Sequence, residues 1–303
     1  MIAEKRKLIK WSETTKLNQG FILKEEEEWV AREINLRISI NGNELVRFAC
    51  SPVDCEDLAI GFLFTEEIIK SLEDIDHMIL NRDDNKIEFV LGEKKNALIE
   101  KWSKSKTMSS GCGQGVISNL EHRRKNLLPT NIKANKNINN LSKLFQHLRN
   151  NSEWYEKTGC VHNVSLFSDD GNVIIREDIG RHNAVDKVIG AALQCNLNFE
   201  KTILNCSGRL SSDMILKTCR AQIPIVISRT APTTLAVDIA NECGITLIGF
   251  ARGTRLNIYS HAERISYIDE QNERFITELI EKKESEKAIS DSNINLNQFQ
   301  EVQ

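Results

Sequence analysis

Apolar and polar residues alternate through Ile34, Leu36, Ile38 and Ile40; the chain then reads Asn41-Gly42, and apolar positions resume at Leu45, Val46 and Phe48. Period-two alternation on both sides of Asn-Gly predicts a β-hairpin. Ser51-Pro52-Val53-Asp54 has the composition of a helix start, with a capping serine, a proline and an early acid, and predicts a helix over 54–70. Segments 78–80 and 86–91 flank Arg82-Asp83-Asp84-Asn85 and predict a second hairpin. Helix is expected over 140–155. Strands at 161–167 and 173–176 surround Asp169-Asp170-Gly171. Helix 182–195, strand 202–205, helix 211–221, strand 225–228, helix 233–243 and strand 245–250 then alternate with short links. That order predicts parallel strands in a layered α/β domain, closed by short strands near 256–259 and 264–268. One amphipathic helix is expected around 275–280, and the polar tail 283–303 reads as disordered. Residues 1–28, with the run Glu25–Glu28, read as a solvated polar segment.

The expected units are the polar segment 1–28, a smaller α+β domain over 29–122, a layered domain over 123–268, and a tail over 269–303. With 40% hydrophobic and 27% charged residues the chain has a globular composition, and a net charge of −3 argues against broad nonspecific nucleic-acid binding. The longest apolar run, Leu58 to Phe64, is about seven residues against the roughly 20 of a membrane span. The charged N-terminus lacks the apolar core of a secretory signal, so a cytoplasmic location is expected. Eight cysteines form no C-x2-C pair, which leaves a zinc ribbon unsupported. Cys195, Cys206, Cys219 and Cys243 lie in or beside apolar runs and read as small buried hydrophobes.

Three groups of residues carry chemistry. Ser109-Ser110-Gly111-Cys112-Gly113-Gln114-Gly115 places one thiol among three glycines, where it is sterically open and able to react as a thiolate. Ser207-Gly208-Arg209, Arg229-Thr230-Ala231-Pro232 and Ala251-Arg252-Gly253-Thr254-Arg255 each follow a strand. If those strands are parallel, the loops share the sheet edge where ligands bind, and the arginines converge on an anionic, phosphate-bearing ligand. The dense block Arg176-Glu177-Asp178-Ile179-Gly180-Arg181-His182-Asn183 joins a strand to a helix. His182 near that helix N-terminus is favoured as the neutral imidazole, serving either a ligand or acid–base chemistry. A capping and salt-bridge network is the equal alternative for this block. His162 faces the same alternatives.

These blocks, together with Thr158-Gly159-Cys160-Val161-His162, Ala184-Val185-Asp186-Lys187, Arg47-Phe48, Pro52 and Asp57-Leu58-Ala59-Ile60-Gly61-Phe62-Leu63, resemble the formate dehydrogenase accessory sulfurtransferases, the FdhD family, over residues 29–268. The resemblance implies a cytidine deaminase-like layered α/β domain beside a smaller N-terminal α+β domain. It implies a persulfide on Cys112, loaded by a cysteine desulfurase. The sulfur then passes to the bis(molybdopterin guanine dinucleotide) molybdenum cofactor destined for formate dehydrogenase. It aligns 250–255, Phe250 included, with the cofactor-binding segment. A homodimer is implied and no protein-ligated metal is expected. The chain departs from the pattern at Gly115, where some members carry a second loop cysteine, and at Cys160, where many carry glycine. Cys160 reads as a small buried strand residue and only secondarily as a second thiol. The alternative to sulfur transfer is a chaperone that binds the cofactor without covalent chemistry. Zinc-dependent deamination lacks its His-x-Glu and Pro-Cys-x-x-Cys elements. A rhodanese-like enzyme acting on small donors would not need the anionic-ligand edge.

Overall fold

The computed structural model describes residues 2–14, 20–92, 107–108, 116–117, 136–137, 141, 144, 147–148, 150–252 and 255–266. The chain opens with β1 (Ala3–Thr14) and β2 (Gly20–Ala31), paired as an antiparallel ribbon. Residues 3–14 and 20–28 are therefore folded strand where a solvated polar segment was expected. Its charges are solvated along the ribbon: Lys10 pairs with Glu26 and Glu28 at 3.3 and 3.0 Å across the two strands. The ribbon's base is anchored by Ile2, Ala3 and Trp29 against Val161 and Trp154, with the two indoles edge-on at 6.0 Å.

Next come β3 (Ile34–Ile40), β4 (Asn43–Cys50), α1 (Cys55–Thr65), β5 (Ile75–Asn81) and β6 (Lys86–Leu91). Both expected hairpins are present, in a four-stranded sheet of order β4-β3-β6-β5. The residue capping α1 is Asp54, not Ser51, and the helix stops at Thr65 rather than residue 70. Glu67 adopts φ 62°, and the N–H of Ile68 folds back onto the Leu63 carbonyl at 2.9 Å, so the stop needs no glycine. From Asp57 to Thr65 every residue of α1 is buried, as expected of a helix apolar all round. One side meets the sheet through Phe62 and Phe48, edge-on at 4.8 Å.

Short strands β7 (Thr107–Met108) and β8 (Val116–Ile117) pair antiparallel. β9 (Lys136–Asn137) precedes helical positions near 141–150 and α2 (Glu153–Thr158), so the single helix expected over 140–155 is divided. Then follow β10 (His162–Ser168), β11 (Val173–Asp178), α3 (Arg181–Gln194), β12 (Thr202–Cys206), α4 (Ser212–Arg220), β13 (Ile225–Ser228), α5 (Thr234–Glu242), β14 (Thr246–Arg252), β15 (Arg255–Ser260) and β16 (Ile265–Ser266). The six-stranded sheet runs β11-β10-β12-β13-β14-β15, with β12, β13 and β14 parallel. Alternation sets its two faces. Leu204, Val226 and Leu247 join the main core with α3, α4 and α5, while Ile203, Ile225, Ile227 and Ile248 face Leu141, Leu144 and Ile265. The main core also contains Leu36, Ile38, Phe89 and the α1 residues, so both sheets share it.

Helices α1 and α3 cross backbone to backbone. A Cβ on Gly190 would lie 2.0 Å from the Asp57 carbonyl oxygen, and one on Gly61 1.8 Å from that of Asp186. Only hydrogen fits at either position.

Candidate functional site

The carboxyl ends of β12, β13 and β14 form one edge, and polar contacts lock their loops together. Ser228 Oγ donates to the Gly208 carbonyl at 2.7 Å and accepts from the Thr230 N–H at 3.0 Å. Leu210 N–H donates to the Ala231 carbonyl at 3.2 Å, and Thr233 N–H to that of Leu210 at 3.0 Å. Phe250 N–H donates to Thr230 at 3.0 Å; Phe250 itself sits at φ 51°, where the β14–β15 register slips between Gly249 and Arg252. A bulky residue in that region is strained and re-aims the strand end. Arg252 Nε then reaches the Arg229 carbonyl at 3.1 Å, and Arg255 is the register partner of Arg252.

The first turn of α3 packs on this edge. A Cβ on Gly208 would meet Arg181 Cβ at 3.0 Å and His162 Nδ1 at 3.4 Å, so the absent side chain lets the loop close against both. Ser207 Oγ accepts from Asn163 N–H at 3.1 Å and lies 3.4 Å from His162 Nδ1. His182 Nε2 is 3.4 Å from Ser211 Oγ and 4.0 Å from Asp213 Oδ2. Ser211, Asp213 and Ser228 were not singled out in the sequence, since nothing local marks them.

Arg209, Arg229, Arg252 and Arg255 are exposed, and among the described residues none has a carboxylate partner. Burial pushes His182 down to about 3, helped by the charges of Arg181 and Lys217. Burial also pushes His162 down, with Arg181 and Arg209 adding to the effect. Both rings are neutral at neutral pH. For His182 the larger reasons are desolvation and these cations rather than the helix dipole. The edge therefore offers guanidinium charge for an anion and neutral imidazoles for hydrogen bonding.

The block 176–187 divides between two roles. Arg176 Nε binds Asp57 at 2.6 Å. The Glu177 carboxylate accepts the Trp154 and Tyr155 N–H groups at the start of α2. Asp178 is fully buried, pairs with Lys187 at 2.7 Å and accepts from the N–H groups of Ser51 and Gly180 and from Asn183 Nδ2. Asp186 binds Lys217 at 2.9 Å and accepts from the Thr65 hydroxyl at 2.8 Å. These residues tie α1 and the end of β4 to α3 and α4; Arg181 and His182 alone of the block reach the loop edge.

Cys206, Cys219 and Cys243 are buried as expected, and burial pushes the Cys206 thiol up to about 12. Cys195 and Cys160 are exposed instead. Cys195 follows the last residue of α3, and Cys160 lies in the turn before β10 rather than in the strand. Cys112, Gly253, Thr254, the 275–280 helix and the 283–303 tail lie outside the described residues. The described strands β7 and β8 flank the Cys112 segment in sequence. Among the described residues, no group of three or more His, Cys, Asp or Glu side chains is placed to hold a metal ion. Among them, too, no helix is long and apolar enough to cross a membrane.

Fold and edge together define a mixed α/β protein that presents exposed guanidinium groups beside neutral imidazoles. Residues 31–266 match the FdhD/NarQ family, and the chain belongs to it. It is 38% identical over 247 residues to the sulfur carrier protein FdhD of Wolinella succinogenes, covering 80% of this chain and 85% of that protein. Over 248 residues it is 38% identical to the protein of the same name in Listeria monocytogenes serotype 4b, covering 80% and 93%. The crystal structure of a protein assigned as a formate dehydrogenase accessory protein in Desulfotalea psychrophila superposes with a TM-score of 0.67 at 26% identity, covering 88% of this chain and all of that one.

Proposed function

We propose that this protein is a sulfurtransferase that accepts sulfur on Cys112 as a persulfide from a cysteine desulfurase. It then transfers that sulfur to the bis(molybdopterin guanine dinucleotide) cofactor used by formate dehydrogenase. The observation that carries the reading is the arginine edge, without carboxylate partners among the described residues, in a chain whose relatives are named sulfur carriers. A dinucleotide ligand brings several phosphate charges, and guanidinium groups match them with paired hydrogen bonds. Four such exposed groups, with no carboxylate partner among the described residues, suit that ligand.

In this reading Arg209, Arg229, Arg252 and Arg255 bind phosphates, and Phe250, Ala251, Gly253 and Thr254 belong to the same binding segment of the sequence. Ser207 and Gly208 let the ligand approach the backbone. His162 and His182 serve as neutral hydrogen-bonding groups that do not compete for the anion. Cys112 supplies the nucleophile, attacking the donor's terminal sulfur as a thiolate.

The test is mass spectrometry of the Cys112 peptide after incubation with a cysteine desulfurase and cysteine, where a gain of about 32 Da is expected. Cys112→Ser is expected to abolish formate dehydrogenase maturation while leaving guanine-nucleotide binding intact. Full maturation by that variant overturns the carrier reading and leaves a cofactor chaperone.

A further inference from the structure

The four edge arginines suit phosphates, yet a carboxylate lies beside the same loops. Asp213 Oδ2 is 4.0 Å from His182 Nε2, and Ser211 Oγ is 3.4 Å from the same nitrogen. We infer that Asp213 and Ser211 are positioning residues that keep the His182 proton on Nε2, so that Nδ1 accepts the amine N–H of a 2-amino-4-oxopyrimidine ring. The guanine and pterin parts of the proposed cofactor both carry that ring. The inference rests on the ligand reading given above and names the group that recognises it.

His182 lies in the first turn of α3, and Ser211 and Asp213 lie at the start of α4. Ser211 occupies the N-cap position of α4, where a serine hydroxyl ordinarily accepts a helix N–H. Here the hydroxyl makes no such bond and is left within reach of the imidazole. Burial and the neighbouring cations keep that imidazole neutral, so one ring nitrogen carries hydrogen and the other a lone pair. A carboxylate charge at 4.0 Å favours N–H over a lone pair on the nitrogen nearest to it, which is Nε2. Ser211 Oγ is placed to accept that hydrogen. The ring is thereby oriented without forming an ion pair.

Nδ1 is then the acceptor. It is buried and has no hydrogen-bond partner among the described residues. A buried acceptor left unsatisfied costs free energy, and its persistence in a fold calls for a reason such as a ligand. The His182 side chain is 10% exposed, one layer below the surface. A ring amine reaches it once one flexible side chain turns aside. The adjacent Arg181, half-buried with its stem against Gly208, is the flexible group at this place. A phosphate does not suit the spot, because the Asp213 charge repels it. An amine hydrogen is attracted by the same charge. The edge thus divides by chemistry: arginines for phosphate, and the starts of α3 and α4 for the ring of the ligand.

The test uses the full chain with ¹⁵N-labelled histidine, followed by NMR at neutral pH as guanosine diphosphate or a reduced pterin is added. His182→Gln assigns the signal by its loss. In the free protein His182 is expected to carry hydrogen on Nε2 and a lone pair on Nδ1. Binding is expected to shift Nδ1 and leave Nε2 protonated. A shift with the nucleotide makes guanine the source of the amine, and a shift with the pterin alone makes it the pterin. With guanine as the source, calorimetry should show about tenfold tighter binding of guanosine than of inosine diphosphate, which lacks the amine. Asp213→Asn should bring the two to parity and spread the proton over both nitrogens. A purely structural Asp213 would instead weaken both nucleotides together and leave their ratio unchanged, which overturns its positioning role. Hydrogen on Nδ1 in the free protein overturns the inference. So does a ligand that binds without moving Nδ1, while the cofactor reading then stands. If the variants fail to fold, the wild-type spectra decide alone. Failure of wild-type protein to bind either ligand sinks the cofactor reading and this inference with it.

Discussion

The interior around α3 and the loop edge at its first turn hold charge in opposite ways. In the interior, Asp178 meets Lys187 at 2.7 Å, Asp186 meets Lys217 at 2.9 Å and Asp57 meets Arg176 at 2.6 Å. At the edge, Arg209, Arg229, Arg252 and Arg255 have no carboxylate partner among the described residues. A buried charge without a partner costs several kcal/mol, so interior charge persists only as satisfied pairs. An exposed guanidinium costs little in water and gains much when an anion displaces that water. Paired charge here marks architecture; under the proposed function the exposed guanidinium charge is the part that meets a ligand.

The largest effect expected is from Gly190→Ala, whose Cβ would fall 2.0 Å from the Asp57 carbonyl oxygen. Forcing α1 and α3 apart should lower stability by roughly 4 kcal/mol or more in denaturant unfolding. Near-wild-type stability would show that the crossing yields and is not the fixed frame of the comparison. Next, Lys187→Met strands Asp178 at zero exposure and is expected to cost about 3–5 kcal/mol. A cost below about 1 kcal/mol would mean that the carboxylate simply takes up a proton, weakening the interior half of the contrast.

At the edge the pattern should reverse. Arg209→Ala and Arg229→Ala are expected to leave the unfolding midpoint nearly unchanged while each weakens guanine-nucleotide binding about tenfold in calorimetric titration. A stability loss without an affinity loss would place these arginines with the interior set. The smallest effect is a pH dependence. His182 has its folded value pushed down to about 3, below that of the unfolded chain, so the unfolded state takes up the proton first. Its neutral burial costs nothing well above about pH 6.5, and stability is lost as pH falls from there toward the folded value. Near pH 6 the loss should be about 1 kcal/mol relative to pH 8, and His182→Gln should remove it. An equal loss in that variant would assign the acid sensitivity elsewhere.

Much of this was legible in the chain, and the failures share a cause. Asn-Gly between alternating apolar runs announced β3 and β4, because that alternation and turn chemistry act within a few residues. The strand–helix alternation after residue 200 announced β12 to β14 and so placed the arginine loops on one edge. Ser51 was misread as a helix cap because its composition fits one; its N–H instead binds Asp178 and its hydroxyl accepts from Ile179, both more than 120 positions away. Glu67 ended α1 in a conformation usually taken by glycine, so no breaker was visible. Exposure of Cys160 and Cys195 depends on where a turn and a helix end fall, which hydrophobic neighbours in sequence do not report.

The sequence by itself determined most of the elements of the two larger sheets, the mixed α/β class, the recurrence of arginine after successive strands and the family resemblance, since each is a property of short stretches or of their order; the N-terminal ribbon β1–β2 it did not announce. Tertiary structure alone decided which members of the 176–187 block bind other elements and which turn toward the edge. It also brought Gly61 against Gly190. Those outcomes depend on partners distant in sequence, and the free energy of burying a charge or closing a contact is set only once both sides are in place.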